Sequence, residues 1–262
     1  MNPTKLLREG LRSAGKLLSP KGDFPPLETV WPDNGGSCLC PRGEDWLSPK
    51  NPVDLSVIIP CYNNAPYLKA CLDSVLSQQT VYSFEAVVID DGSTDSTPEI
   101  LAAYEGLPNV TVLRQENRGH SGARNAGIAV CRGRYLLFHD SDDTLLPGSL
   151  QALLACAMEH GADIALGGYV CRDALGNIAP GKAFPDGPIA DREQIPGMTC
   201  GKAFRRDLWA GLQFPEGYWY EDSVICQILL PMARRIYAVS TPIFAYLLNP
   251  NGVSAVSQGQ PK

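Results

Sequence analysis

From residue 55 to residue 170, short apolar runs alternate with segments of helical period. The apolar runs are "LSVIIP" (55–60), "FEAVVID" (84–90), "NVTVLRQ" (109–115), "YLLFHD" (135–140) and "DIALGGYV" (163–170). Between them lie "PYLKACLDSVLSQ" (66–78), "STPEILAAY" (96–104), "HSGARNAGIAVC" (120–131) and "PGSLQALLACAMEHG" (147–161). Strands that are apolar almost throughout are buried on both faces. This pattern predicts an α/β fold with a mostly parallel sheet covered by helices on each side. Right-handed crossovers then bring the strand C-termini to one edge, where open α/β sheets bind ligands.

The predicted strand ends carry polar clusters. The first ends in "PCYNN" (60–64) and the second in "DDGSTD" (90–95). The third leads through "RQENRGHSGARN" (114–125), and the fourth ends in "HDSDD" (139–143). In the last of these, Asp140, Asp142 and Asp143 fall within four positions and repel one another. Side chains two apart on an extended segment face the same way, so Asp140 and Asp142 are expected to converge on one point. A divalent cation there would remove the repulsion. Hard oxygen ligands suit Mg²⁺ or Mn²⁺ and leave positions for water and substrate phosphate. The alternative is a solvated turn capping the next helix.

Other residues fit around such a site. Asp90 or Asp91 can accept an N–H from a planar base, with Tyr62 as a flat face beside it. Turn chemistry and helix capping account for Ser93, Asp95 and Thr97. The Arg124 fork suits phosphate or nucleoside oxygens, and Lys202 could compensate phosphate charge. In "GYWYED" (217–222), Glu221 and Asp222 precede a helical run. One of the two could be a general base for an alcohol, while the other caps the helix. Arg118 reads as a member of a surface ion pair and His139 as a strand-end residue. Arg205, Arg206 and Asp207 read as a solvated helix face.

Composition narrows the classes. The formal net charge is −6, which argues against nucleic acid as a partner. Nine cysteines, an odd number with no CxxC pair, read as reduced thiols in the core of a cytoplasmic protein. No window approaches the ~20 apolar residues of a membrane-spanning helix. Residues 4–18, "TKLLREGLRSAGKLL", place leucines at roughly helical spacing among Lys and Arg. Such a helix packs on protein or lies on an anionic membrane surface. Residues 19–52 are rich in Pro, Gly, Asp and Asn, and read as an irregular linker with Trp31 and Trp46 as anchors. The expected division is therefore 1–52, helix and linker, and 53–262, the α/β domain.

Five stretches together resemble the successive motifs of family 2 inverting glycosyltransferases: "LSVIIPCYNNAPYLKACLDSVLSQ", "VVIDDGSTDST", "NRGHSGARNAGI", "GRYLLFHDSDDTLLPGSL" and "YEDSVI". They occur in the family's order. The resemblance implies a GT-A fold, Rossmann-like in its nucleotide-binding half, a nucleotide-sugar donor that is usually a UDP-sugar, and a divalent metal, Mn²⁺ or Mg²⁺. It implies a glycan or lipid-linked saccharide as acceptor, in surface polysaccharide biosynthesis. The cell location it fits is cytoplasmic, with membrane contact at the inner face through residues 4–18. Carried over by position, Pro60, Tyr62 and Asp91 contact the uracil and its ribose. Arg124 is a nucleotide-facing basic residue. Asp140 and Asp142 match the DxD motif, with Asp142 as the direct metal ligand and Asp140 nearer the ribose or a metal-bound water. Asp222 matches the general base, with Glu221 as the fallback.

Two other classes fit less well. A nucleotidyltransferase would want a glycine-rich, basic loop after the first strand, and "PCYNNAPY" has neither glycine nor arginine. A scaffold that had lost catalysis would have no need of Asp91, Asp142 and Asp222 together.

Overall fold

A computed structural model describes residues 38–40, 42–217 and 222–249. The expected amphipathic helix at 4–18, Trp31 and Glu221 lie outside them. The first half of the chain folds as the alternation requires. Strand β1 (Val53–Cys61) is followed by helix α1 (Ala65–Leu76), β2 (Phe84–Asp90), α2 (Thr97–Ala102) and β3 (Val110–Arg114). Then come α3 (Gly119–Val130), β4 (Gly133–Phe138), the short β5 (Thr144–Leu145), α4 (Ser149–His160) and β6 (Ile164–Arg172). Further strands are β7 (Ile178–Pro180), β8 (Gly187–Pro188), β9 (Lys202–Arg205) and β10 (Ile236–Leu247).

The main sheet runs β3-β2-β1-β4-β9-β6-β10-β5. Strands β3, β2, β1 and β4 are parallel neighbours. β9 lies antiparallel between β4 and β6, and β10 is parallel to β6. The C-terminal ends of β1, β2, β4, β6 and β10 therefore share one edge. The fold is the mixed, mostly parallel sheet the sequence predicts.

Both faces of the sheet are buried, and strand periodicity divides them. Leu55, Val57 and Ile59 of β1 join Val88, Leu137 and the α1 and α4 residues Leu72, Val75, Leu150 and Leu153 in one cluster. Ile58, Ile89, Leu136 and Phe138 join Ile128 of α3 and Trp209 in the other. The small residues of α3 let it approach the sheet closely. A Cβ on Gly127 would lie 2.4 Å from Ile58 Cγ2 and 2.9 Å from Ile89 Cδ1, so any larger residue would lift the helix and the Arg124 it carries.

The structure corrects one sequence expectation in part and bears out Trp46 as an anchor. Of Arg205, Arg206 and Asp207, expected as a solvated helix face, Asp207 alone is exposed. Arg205 ends β9, and Arg206 is buried. Arg206 donates to Gly133 O (2.7 Å) and Cys131 O (2.6 Å) and lies over the Trp46 ring. The described part of the 19–52 stretch is docked on the domain. Leu39 bridges to Leu212, Arg42 Nη1 donates to Trp209 O (2.6 Å), and Trp46 Nε1 donates to Ile128 O (2.8 Å). All nine cysteines are free thiols.

Candidate active site

The loops at the shared edge are tied to one another. Asn63 adopts φ +47°, a left-handed conformation that asparagine tolerates better than most residues. Its Oδ1 accepts the N–H of Thr94 at 2.7 Å. Asn64 Nδ2 donates to Ser141 Oγ at 2.8 Å. The loop after β1 thus holds the loops after β2 and β4 in register.

Asp91 lies just past β2 and is buried. Its Oδ1 accepts Gln115 Nε2 at 2.6 Å and the backbone N–H of Arg118 at 2.9 Å. The chain can turn this tightly because residue 92 is glycine, at φ +77°. A Cβ there would lie 2.9 Å from Asn117 N. Pro60 sits in β1 opposite Ile89, and Cys61 opposite Asp90. Tyr62, next in the chain, is 49 % exposed, so an aromatic face and a fixed carboxylate stand on adjacent strand ends.

The acidic segment after β4 is not extended, as the sequence reading assumed. It turns, with the Asp143 N–H donating to Asp140 O at 3.1 Å. The turn groups Asp140 with Asp143: one oxygen of each and Cys200 Sγ all lie within 4.8 Å of one another. Asp142 Oδ2 accepts from Asn249 Nδ2 at 3.2 Å. Asp143 Oδ1 accepts the Leu247 N–H at 2.8 Å, while its Oδ2 is buried with no hydrogen-bond partner among the described residues. Arg124, with only 5 % of its side chain exposed, donates through Nη2 to Asp140 Oδ1 at 2.9 Å and lies over the Phe214 ring.

Three carboxyl groups crowd this cluster, and burial and their neighbours shift them in different directions. Burial alone would raise the pKa of Asp140, but the charges of Arg124 and His120 overcome it and leave Asp140 below the usual carboxylate value. Burial and then the Asp140 charge push Asp142 up. Burial, Asp140 and Asp142 together push Asp143 up to about 9. Buried His139 is driven down to about 4 and stays neutral, so it supplies no compensating charge at neutral pH. Burial also raises the Cys200 thiol well above its ordinary value. A hard divalent cation would therefore meet carboxylate oxygens here and a protonated thiol.

Lys202 opens β9 and is buried. Its Nζ donates to Met198 O at 2.6 Å and lies 3.5 Å from Cys200 O. Asp222 is half-buried and stands shortly before the helical segment Ile225–Leu229. A Cβ on Gly197 would lie 3.9 Å from Asp222 Oδ2. The structure thus brings Pro60, Tyr62, Asp91, Arg124, Asp140 and Asp142 to one sheet edge. Lys202 and Asp222 stand on either side of the turn 197–201, beside that edge.

Four residues the sequence reading passed over also belong to this region. Gln115 holds Asp91, Asn249 holds Asp142, and Cys200 meets the acidic turn. Arg172, at the end of β6, places Nη2 3.4 Å from Asp142 O. Their roles depend on which strands are neighbours, and no local motif marks them.

A family model described as "Glycosyl transferase family 2" matches residues 56–206, more than half of the chain. The chain is 29 % identical over 220 residues to Glycosyltransferase GlyA of Streptococcus pneumoniae, covering 77 % of this chain and 32 % of GlyA. It is 31 % identical over 206 residues to the Minor teichoic acid biosynthesis protein GgaA of Bacillus subtilis, covering 73 % and 46 %. Its fold is similar to that of S. aureus TarS 1–349 in complex with UDP-GlcNAc. That match has a TM-score of 0.67 at 26 % identity and covers 79 % of this chain and 62 % of the other. The chain spans 32 % to 62 % of the length of these three proteins.

Proposed function

This chain belongs to glycosyl transferase family 2 and has the family's GT-A fold, and from that premise we propose that it moves a sugar from a UDP-sugar to a hydroxyl of a glycan or lipid-linked saccharide, with inversion at the anomeric carbon. The sugar is a hexose or an N-acetylhexosamine. The observation that carries the reading is the gathering, on one sheet edge, of a fixed carboxylate (Asp91) and an acidic turn of crowded, buried carboxyl groups beside Arg124.

Asp91 accepts the N–H of the uracil, with Oδ1 held by Gln115 and the Arg118 backbone. Tyr62 and Pro60 flank the base and ribose. Asp142 and Asp140 would hold a Mn²⁺ or Mg²⁺ ion. The fit is chemical: oxygens of Asp140 and Asp143 lie close together beside Asp142, burial and then the Asp140 charge push Asp142 and Asp143 up, and a buried Asp143 oxygen has no hydrogen-bond partner among the described residues. Once bound, such an ion neutralises the charge that grows on the departing diphosphate. Arg124 keeps Asp140 ionised for that role and faces the nucleotide. Asp222, with Glu221 as the fallback, takes the proton from the acceptor hydroxyl. The hydroxyl oxygen attacks C1 from the face opposite the diphosphate. Holding donor and acceptor in line supplies much of the rate.

The UDP-GlcNAc complex of TarS supports a UDP-linked donor, and the name of GgaA supports a cell-surface polymer as the product. No helix among the described residues is long and apolar enough to cross a membrane. We place the protein in the cytoplasm, with residues 4–18 as its contact with the inner membrane face. The test is release of UDP from a panel of UDP-sugars with Mn²⁺ and candidate acceptors. Asp222→Asn should bind UDP normally and not transfer. A panel on which no nucleotide sugar binds at millimolar concentration, with or without metal, would overturn the reading.

A further inference from the structure

The turn 197–201 touches both halves of the site, and a buried lysine holds it shut. At one end Gly197 lies against the segment that carries Asp222. A Cβ there would stand 2.8 Å from Cys226 Sγ and 3.9 Å from Asp222 Oδ2. At the other end Cys200 Sγ lies within 4.8 Å of an oxygen of Asp140 and one of Asp143. Gly201, at φ +72°, turns the chain into β9, and its carbonyl accepts the Gly167 N–H at 3.0 Å. Across this turn the Lys202 ammonium reaches back to the carbonyls of Met198 (2.6 Å) and Cys200 (3.5 Å).

We infer that Lys202 is a positioning residue for Asp222: by fastening the turn 197–201 it sets the placement of Asp222 relative to the acidic turn at 140–143. The inference rests on the reading of Asp222 as the base.

The physical case has two parts. First, a buried ammonium is costly unless its donors are used. Here they are spent on backbone carbonyls of a single turn, which is the work of a staple. Burial pulls Lys202 down to about 8, and Cys200, Cys226 and Asp222 are the groups whose negative charge, where present, opposes that fall. The electrostatic neighbours of the ammonium are thus the groups at the two ends of the turn. Second, a general base must stand within hydrogen-bond reach of the hydroxyl it deprotonates, and an error of ~1 Å in placement costs roughly 10²-fold in rate. Gly197 has no side chain between the turn and the Asp222 segment, so a shift of the turn passes directly to that segment.

The test compares the full-length wild-type protein with Lys202→Met and with Gly197→Ala, alone and combined with Cys226→Ala. Readouts are the Kd of UDP with Mn²⁺ by calorimetry, and kcat and KM for the acceptor. Lys202→Met should lower kcat by about 10- to 100-fold and leave the UDP Kd within about twofold. Gly197→Ala drives a methyl group into Cys226 Sγ and should also lower kcat; removing that sulfur with Cys226→Ala should restore it. If Lys202→Met instead weakens UDP binding by about tenfold with kcat unchanged at saturation, the lysine serves the diphosphate and the inference fails. It also fails if both parameters stay at wild-type values. Should Lys202→Met not fold, the Gly197 pair decides: an unchanged kcat in Gly197→Ala overturns the inference. Failure of the base assignment reads differently, because Asp222→Asn would then keep full transfer whatever the lysine does.

Discussion

The two edges of the sheet treat buried charge in opposite ways. At the edge where β1, β2 and β4 begin, each buried charge is answered. Glu85 accepts from Ser56 Oγ and the Arg132 N–H, both at 2.6 Å, and pairs with the Arg132 guanidinium at 2.7 Å. Asp163 pairs with Arg205 at 2.6 Å and accepts the N–H groups of Arg234 and Arg235. Arg206 spends its donors on Gly133 O, Cys131 O and Trp46 O. At the opposite edge Asp140, Asp142 and Asp143 crowd together, and Arg124 forms its ion pair with Asp140. Charge at the first edge holds the fold together. The second crowds carboxyl groups that burial and the Asp140 charge push up, and the proposed function gives them a cation to hold.

That contrast can be broken by experiment. The largest effect should come from Asp142→Asn. Losing a ligand that serves only the bound state should cut transfer by about 10³-fold, while the melting temperature in chelator stays level or rises, because one repelling charge is gone. A drop in that temperature would mean Asp142 is structural. Next is Arg132→Ala, at the other edge. It strands the buried Glu85 carboxylate and should cost about 3 kcal/mol in urea unfolding, with kcat per folded molecule retained; full stability would contradict the contrast. Third, UDP with Mn²⁺ at 100 times Kd should stabilise the protein by about 2.7 kcal/mol, and EDTA should remove most of that. A stabilisation that survives EDTA would take the cation out of the account. The smallest effect belongs to Arg118→Ala. Its side chain pairs with Glu216 at 2.6 Å but is half exposed, so stability should change by less than about 1 kcal/mol. UDP affinity should hold, because Asp91 is gripped by the Arg118 backbone N–H. A large loss of UDP binding would give that side chain a direct role.

What the sequence disclosed follows the same division. Strands β1, β2, β4 and β6, and the helices between them, were legible because their apolar runs are nearly continuous and largely buried, and the half-buried edge strand β3 because its apolar residues alternate. The polar residues that follow those strands, among them Asp91 and Asp140, lie where parallel crossovers must put them. β9 was not legible: "KAFR" is four residues long and takes its identity from pairing with β4 and β6. That pairing turns Arg205 and Arg206 inward, where a local reading has them solvated. β10 was missed for a related reason. Its register shifts between Val239 and Phe244, which breaks up "IYAVSTPIFAYL", and with it the placement of Asn249 beside Asp142 was lost. The acidic segment was read as extended, so Asp140 was expected to align with Asp142. The turn aligns it with Asp143, because the backbone hydrogen bond from Asp143 to Asp140 closes a loop that side-chain alternation does not foresee.

The most direct test of the contrast is calorimetric titration of UDP into the wild-type protein and into Asp142→Asn, each with Mn²⁺ and each with chelator. Wild type should bind UDP at least about tenfold more tightly with Mn²⁺, and Asp142→Asn should lose that gain while keeping the metal-free affinity. Equal affinity with and without metal in the wild type, or a gain that persists in Asp142→Asn, would contradict the claim that the acidic turn awaits a cation.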